Sequence, residues 1–150
     1  MSIINKYLFI ILLLLGCQSS SYNWYSGTFE EAKLIAGSKL ILLDFYTDTW
    51  PGCVQLDADT FSDVDVQSFS DNNFISVKMN ANEKTIRKVF DDYNCRGVPH
   101  LLFVDNNGIE VDRIIGYLPA AEYLIRIKDI QNNKHTLGDY ISQYENGYVT

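Results

Sequence analysis

Cysteine is scarce in this chain: three in 150 residues, at positions 17, 53 and 95, with no two of them three residues apart. That spacing excludes a Cys-X-X-Cys pair, in which one thiolate attacks a disulfide and the second resolves the mixed disulfide. Basic residues are few as well, 12 Lys and Arg against 19 Asp and Glu, for a formal net charge of −7. Without Lys/Arg clusters to meet phosphates, nucleic acid is excluded as a partner. A long hydrophobic run is also missing. The apolar stretch Tyr7 to Leu15 falls short of the roughly 20 residues that a membrane-spanning helix needs.

That stretch follows Lys6 and ends in Leu14-Leu15-Gly16-Cys17-Gln18-Ser19. A small residue directly before cysteine at the end of a short apolar run has the form of a secretory signal and resembles the bacterial lipobox. The resemblance implies that Cys17 is acylated and becomes the first mature residue, so that lipid attaches the protein to a membrane. Removing residues 1–16 takes away one lysine and no acid and moves the charge from −7 to −8. No basic stripe supports electrostatic membrane binding, so attachment rests on the lipid. The remainder, 150 less 16 or 134 residues, is the size of one domain. Export puts Cys53 and Cys95 where disulfides can form.

The expected layout is a signal peptide over 1–16, an exposed Ser/Gln tether over 17–27, a domain over 28–131, and an extension with a short helix over 132–150. Thr28 with Glu31 three residues on has the form of a capping box. The continuous apolar run Leu40 to Leu43 predicts a central strand covered on both faces. A helix is expected from Pro51, with Leu56 and Phe61 inward, and a short second helix from Ser62 through Phe69. Phe74 to Met79 alternates as a strand, and Asn82 to Tyr93 has helical spacing. His100 to Val104 and Ile109 to Ile115 predict a hairpin joined at Asn107-Gly108, a pair suited to two-residue turns. Pro119 opens a last amphipathic helix, and Leu137, Tyr140, Ile141 and Tyr144 mark the short one beyond it.

Several separated motifs agree in order: Asp44-Phe45-Tyr46-Thr47-Asp48-Thr49-Trp50-Pro51-Gly52-Cys53-Val54, then Thr60-Phe61-Ser62-Asp63, Gly97-Val98-Pro99-His100 and Phe103-Val104-Asp105-Asn106-Asn107-Gly108. Over about residues 28 to 130 they resemble the thioredoxin-like domains of exported bacterial protein-disulfide reductases. The resemblance implies an α/β thioredoxin fold, with a central mixed sheet flanked by helices and a cis proline, Pro99, before the third strand. Counted from Phe45, it puts Trp50 at the attacking cysteine and Cys53 at the more buried resolving one. A one-residue deletion would instead pair Trp50 with the family's tryptophan. In both alignments the attacking sulfur is missing.

The same resemblance makes Cys53 and Asp44 the catalytic candidates. Asp44 matches a buried carboxylate beneath the second cysteine, and two readings stand: a base for the Cys53 thiol, or an aspartate satisfied at a strand end. Trp50, Val98 and Pro99 are the peptide-binding candidates, because the cis turn exposes the backbone before the proline to an extended peptide. Cys95 reads as a small apolar filler, as a disulfide partner of Cys53, or with Cys53 and His100 as a sketch of a copper or zinc site. The last lacks diagnostic spacing, so no metal is assigned, and no cofactor is implied. Trp24 is expected against the first helix, the alternative being an exposed aromatic surface shared with Trp50 and neighbouring tyrosines.

Two functions remain open, with metal handling as a wider alternative to both. One is a monothiol thiol-disulfide protein of the bacterial cell envelope, lipid-anchored and facing the periplasm or the exterior, whose partner is a thiol- or disulfide-containing protein or peptide. The other is a redox-inactive module that holds a peptide or partner on the same surface. Ordinary dithiol turnover is not expected of either.

Overall fold

The computed structural model describes residues 21–145, and the lipidation candidate Cys17 lies outside them, as does the chain end at Gly147. Thr28 caps α1 (Phe29–Ile35): its hydroxyl accepts from the Glu31 amide while the Glu31 carboxylate returns a bond to the Thr28 amide, closing the expected capping box. Then follow β1 (Leu40–Tyr46), α2 (Pro51–Gln55), a single π-helical turn (Leu56–Thr60) and α3 (Val64–Asn73). The second half runs β2 (Phe74–Asn80), α4 (Lys84–Asp92), β3 (His100–Val104), β4 (Glu110–Ile115), α5 (Ala120–Gln131) and α6 (Leu137–Glu145).

The four strands form one mixed sheet in the order β2-β1-β3-β4, parallel between β1 and β2 and antiparallel elsewhere. This is the thioredoxin fold that the motifs imply, and the Val98-Pro99 bond is cis. β1 is central, and Ile41, Leu42, Leu43 and Phe45 have no exposed surface. Alternation sends Leu42, Leu101 and Phe103 to one face, against Tyr123, Ile127 and Ile130 of α5, Val66 of α3 and Phe61. Ile41, Leu43, Phe45 and Val104 go to the other face, against Phe29 and Ala32 of α1 and Phe90 of α4.

Several boundaries differ from the expectation. α3 runs to Asn73 instead of stopping near Phe69, because Asn72 and Asn73 donate back to the Ser68 and Phe69 carbonyls and carry the last turn. α4 starts at Lys84, since the Asn80 side chain takes the Asn82 amide and holds that residue in a turn. The β3–β4 connection is not a two-residue turn. Pairing ends at Val104 and Glu110, the Asp105 carboxylate takes the amides of Asn107 and Ile109, and positive φ falls on Gly108 alone.

The stretch expected as tether joins the core before residue 28. Tyr22 is buried and its hydroxyl meets the Ser76 hydroxyl, and the Tyr25 amide donates to the Ser76 carbonyl on the β2 edge. Trp24 packs on Tyr22 and edge-on to Phe61 at 4.9 Å, and not on α1. The chain supplies four aromatic rings here, Tyr22, Trp24, Phe61 and Tyr123, that bury more area together than a polar tether would. Among the described residues no helix is long and apolar enough to cross a membrane.

Candidate functional site

β1 delivers Asp44 to the face of Leu42, only 1% exposed, two residues before the strand ends. The chain turns through Thr47 to Thr49 and enters α2 with Trp50 in extended conformation as its cap, and Pro51 in the first turn, where the missing N–H has no helical partner to lose. The Trp50 carbonyl accepts from the amides of Cys53 and Val54 at 3.0 and 3.1 Å. That winding turns Cys53 inward, 3% exposed, and leaves the Trp50 side chain 54% exposed.

Burial pushes the Cys53 thiol above its ordinary pKa. A backbone hydrogen bond from Thr47 works the other way, and the nearby Asp44 carboxylate adds to the rise. Near neutral pH the group is therefore a thiol with little thiolate, the opposite of an activated nucleophile.

Asp44 pairs in register with Lys78 on β2, and the Lys78 ammonium lies 2.8 Å from Asp44 Oδ2. The same ammonium reaches Asp57 Oδ1 at 2.5 Å and sits against the rings of Tyr46, Trp24 and Phe61. Burial raises the Asp44 carboxyl to about 6, with Lys78 only partly offsetting it. For Lys78 burial alone would lower the pKa, and the two carboxylates more than reverse that. Asp44 Oδ1 has no hydrogen-bond partner among the described residues. The π turn is what brings Asp57 here: the Phe61 amide bonds to the Leu56 carbonyl, one residue beyond helical spacing.

The cis turn closes the site. A side chain on Gly52 would begin 3.2 Å from Pro99 Cδ and 3.3 Å from Trp50 Nε1, so the turn, the helix start and the indole meet over that glycine. Trp50 and Pro99 thus flank Gly52, with Trp50 exposed, Val98 half-buried and Pro99 buried. Cys53 and Asp44 lie within electrostatic reach of one another.

Cys95 and His100 belong elsewhere, on the α4 side of the sheet. Cys53 and Cys95 are both free thiols and form no disulfide. Cys95 is buried, in the apolar cluster with Phe90 and Val104, and its thiol is pushed up to about 11. His100 is fully buried, packs edge-on to Phe90, and has Nε2 3.4 Å from Arg113 Nη1. No group of three His, Cys, Asp or Glu among the described residues is placed to hold a metal.

Lys78 and Asp57 escaped the reading of the sequence. Lys78 looked like one polar position in an alternating strand, and only the pairing of β1 with β2 sets it beside Asp44. A lysine facing the covered side of a strand was the available signal.

Residues 29–131 match the family described as a thioredoxin-like domain. Among curated proteins the chain is similar to a thiol:disulfide interchange protein DsbD of Pasteurella multocida, 33% identical over 100 residues, which are 63% of this chain and 17% of that protein. The chain thus spans under a fifth of the length of the relatives it matches. Among solved structures it is similar to a putative disulphide-isomerase from Bacteroides thetaiotaomicron, with TM-score 0.66, 26% identity, and coverage of 75% of this chain and 95% of that one. A thioredoxin from Thermus thermophilus superposes with TM-score 0.64 at 25% identity, over 74% and 88% of the two chains.

Proposed function

We propose, for a chain that belongs to the thioredoxin-like domain family and is related to thiol-disulfide oxidoreductase domains, a docking role in the bacterial cell envelope without dithiol turnover. Lipid on Cys17 would hold it to a membrane, facing the periplasm or the exterior. Its partner would be a thiol- or disulfide-containing protein or peptide, laid in extended form along Val98 and against Trp50 and Pro99. The observation that carries this reading is the inversion at the start of α2: the thiol is buried and the indole is exposed. Backbone pairing at the cis turn needs no sulfur, so binding survives where exchange does not.

A second reading, monothiol exchange through Cys53, draws on Asp44. A carboxyl raised to about 6 beside a thiol is a base able to take its proton once a partner opens the site.

Maleimide labelling of the native protein, followed by peptide mapping across pH, separates the two. Cys53 is expected to stay unlabelled until urea unfolds the chain. Rapid native labelling that tracks a pKa below the ordinary thiol value would establish the monothiol instead. Labelled palmitate failing to enter a Cys17-containing product would remove the anchor from either reading.

A further inference from the structure

Beside the cis turn, α4 and the loop before β3 enclose a groove of about 450 Å³, open to solvent on one side. Its volume falls in the ~300–1,000 Å³ range of ligand sites. Thr47 and Val98 line it, so it continues directly from the Trp50–Pro99 surface, and its floor includes Phe90 and Cys95. The rest of its lining is unlike the chain as a whole. In a protein with net charge −7 it presents two arginines, Arg87 and Arg96, against one acid, Asp91.

The two arginines are not equivalent. Arg87 is committed in part, with Nε 3.2 Å from Asp91 Oδ1 one helical turn on, and its guanidinium against the Phe90 ring. Arg96 is exposed and its guanidinium has no side-chain partner among the described residues. Asn82 and Asn94 add amide donors at the rim. A guanidinium fork and amides around an apolar floor suit a carboxylate, which takes paired N–H bonds in one plane.

We infer that this groove selects the partner: the extended peptide docked at Val98 carries an Asp or Glu side chain that enters the groove and pairs with Arg96, supported by Arg87. The inference rests on the docking role proposed above and names its partner class. In an extended peptide, residues two apart share a face about 7 Å apart, so the acid would stand about two positions from the residue that meets Val98. Lys-bearing segments would be disfavoured by the same arginines.

The test uses the full mature chain and thiol-free, acetylated and amidated nonapeptides of alternating Val and Ser, with Glu, Gln or Lys placed at each position in turn, together with the Gln peptides carrying a free C-terminus, and binding is followed by isothermal titration calorimetry. Glu at one or two positions is expected to bind about tenfold tighter than Gln at low salt, with the advantage shrinking as salt rises. Arg96→Gln should abolish that advantage while leaving the Gln peptides unchanged, and Arg87→Gln should reduce it about threefold. Equal binding of Glu and Gln peptides, still lost in Trp50→Ala, would overturn the groove's role and leave the docking surface standing. A free C-terminal carboxylate preferred over any internal Glu would overturn the side-chain assignment. Failure of every peptide to bind would overturn this inference together with the docking role beneath it.

Discussion

The two faces of one sheet each bury a titratable group, a thiol and a basic partner, and they resolve the cost of burial in opposite ways. On the α3/α5 face, Asp44 keeps a charge by meeting the Lys78 ammonium, which Asp57 reaches from the solvent side. On the α1/α4 face, His100 is held below its ordinary pKa by burial and then by Arg113, so it stays neutral near pH 7. Arg113 itself is neutralised by Glu110 rather than by the histidine. The charged solution lies beside the helix that carries Cys53. The neutral one directly follows the cis turn and packs on Phe90. Burying an ion pair is weak evidence for stability, so the Asp44–Lys78 contact by itself does not mark this face as the more stable one.

The broadest way to test the equivalence of the two faces is to remove one packed side chain from each. Leu42→Ala and Leu43→Ala, adjacent in β1 and both fully buried, should each cost about 2–5 kcal/mol in urea unfolding. A much smaller loss on one face would show that its layer is loosely packed.

The titrations should break the symmetry. Asp44 has a folded pKa of about 6 against an ordinary 3.8, so the folded state holds the proton longer, and stability is lost as pH rises through that window. Asp44→Asn should remove the slope and raise stability at pH 7 by on the order of 2 kcal/mol, with Lys78 still paired to Asp57. His100 has the opposite sign. Its folded pKa lies below the ordinary 6.5, so the unfolded chain takes the proton first and stability is lost as pH falls from there. His100→Gln should flatten only that acid limb. Urea midpoints measured from pH 4 to 8 check both, and slopes of the same sign would refute the assignment.

The smallest contrast is between the helix caps on the two faces. Thr28 caps α1 with a reciprocal bond from Glu31, and Asp63 caps α3 through the amides of Asp65 and Val66. Thr28→Ala and Asp63→Ala should each cost about 1 kcal/mol. A larger loss for Asp63 would mean that α3 also depends on the carboxylate at the helix N-terminus.

Much of this fold was legible in the residues. The apolar run of β1, the capping box at Thr28 and the Val-Pro step all stand where local pattern put them. Boundaries slipped where a side chain outcompeted the pattern, as Asn80 does by holding Asn82 out of α4. At the site, Trp50 and Pro99 both approach Gly52, a glycine that pattern alone did not single out. Trp24 was misplaced, because nothing near it in the chain announces Phe61, 37 positions away.

By itself, then, the sequence determined the order of elements, the lone cysteine at the start of α2 and the acidic surface, since these follow from residue type and short-range spacing. Only the tertiary structure decided that Trp50 meets Pro99 over Gly52, that Lys78 pairs with Asp44, and that Arg87 and Arg96 share a groove with Val98. Such facts depend on register between strands and on which helix covers which face. Long-range packing sets them, and no local propensity encodes it.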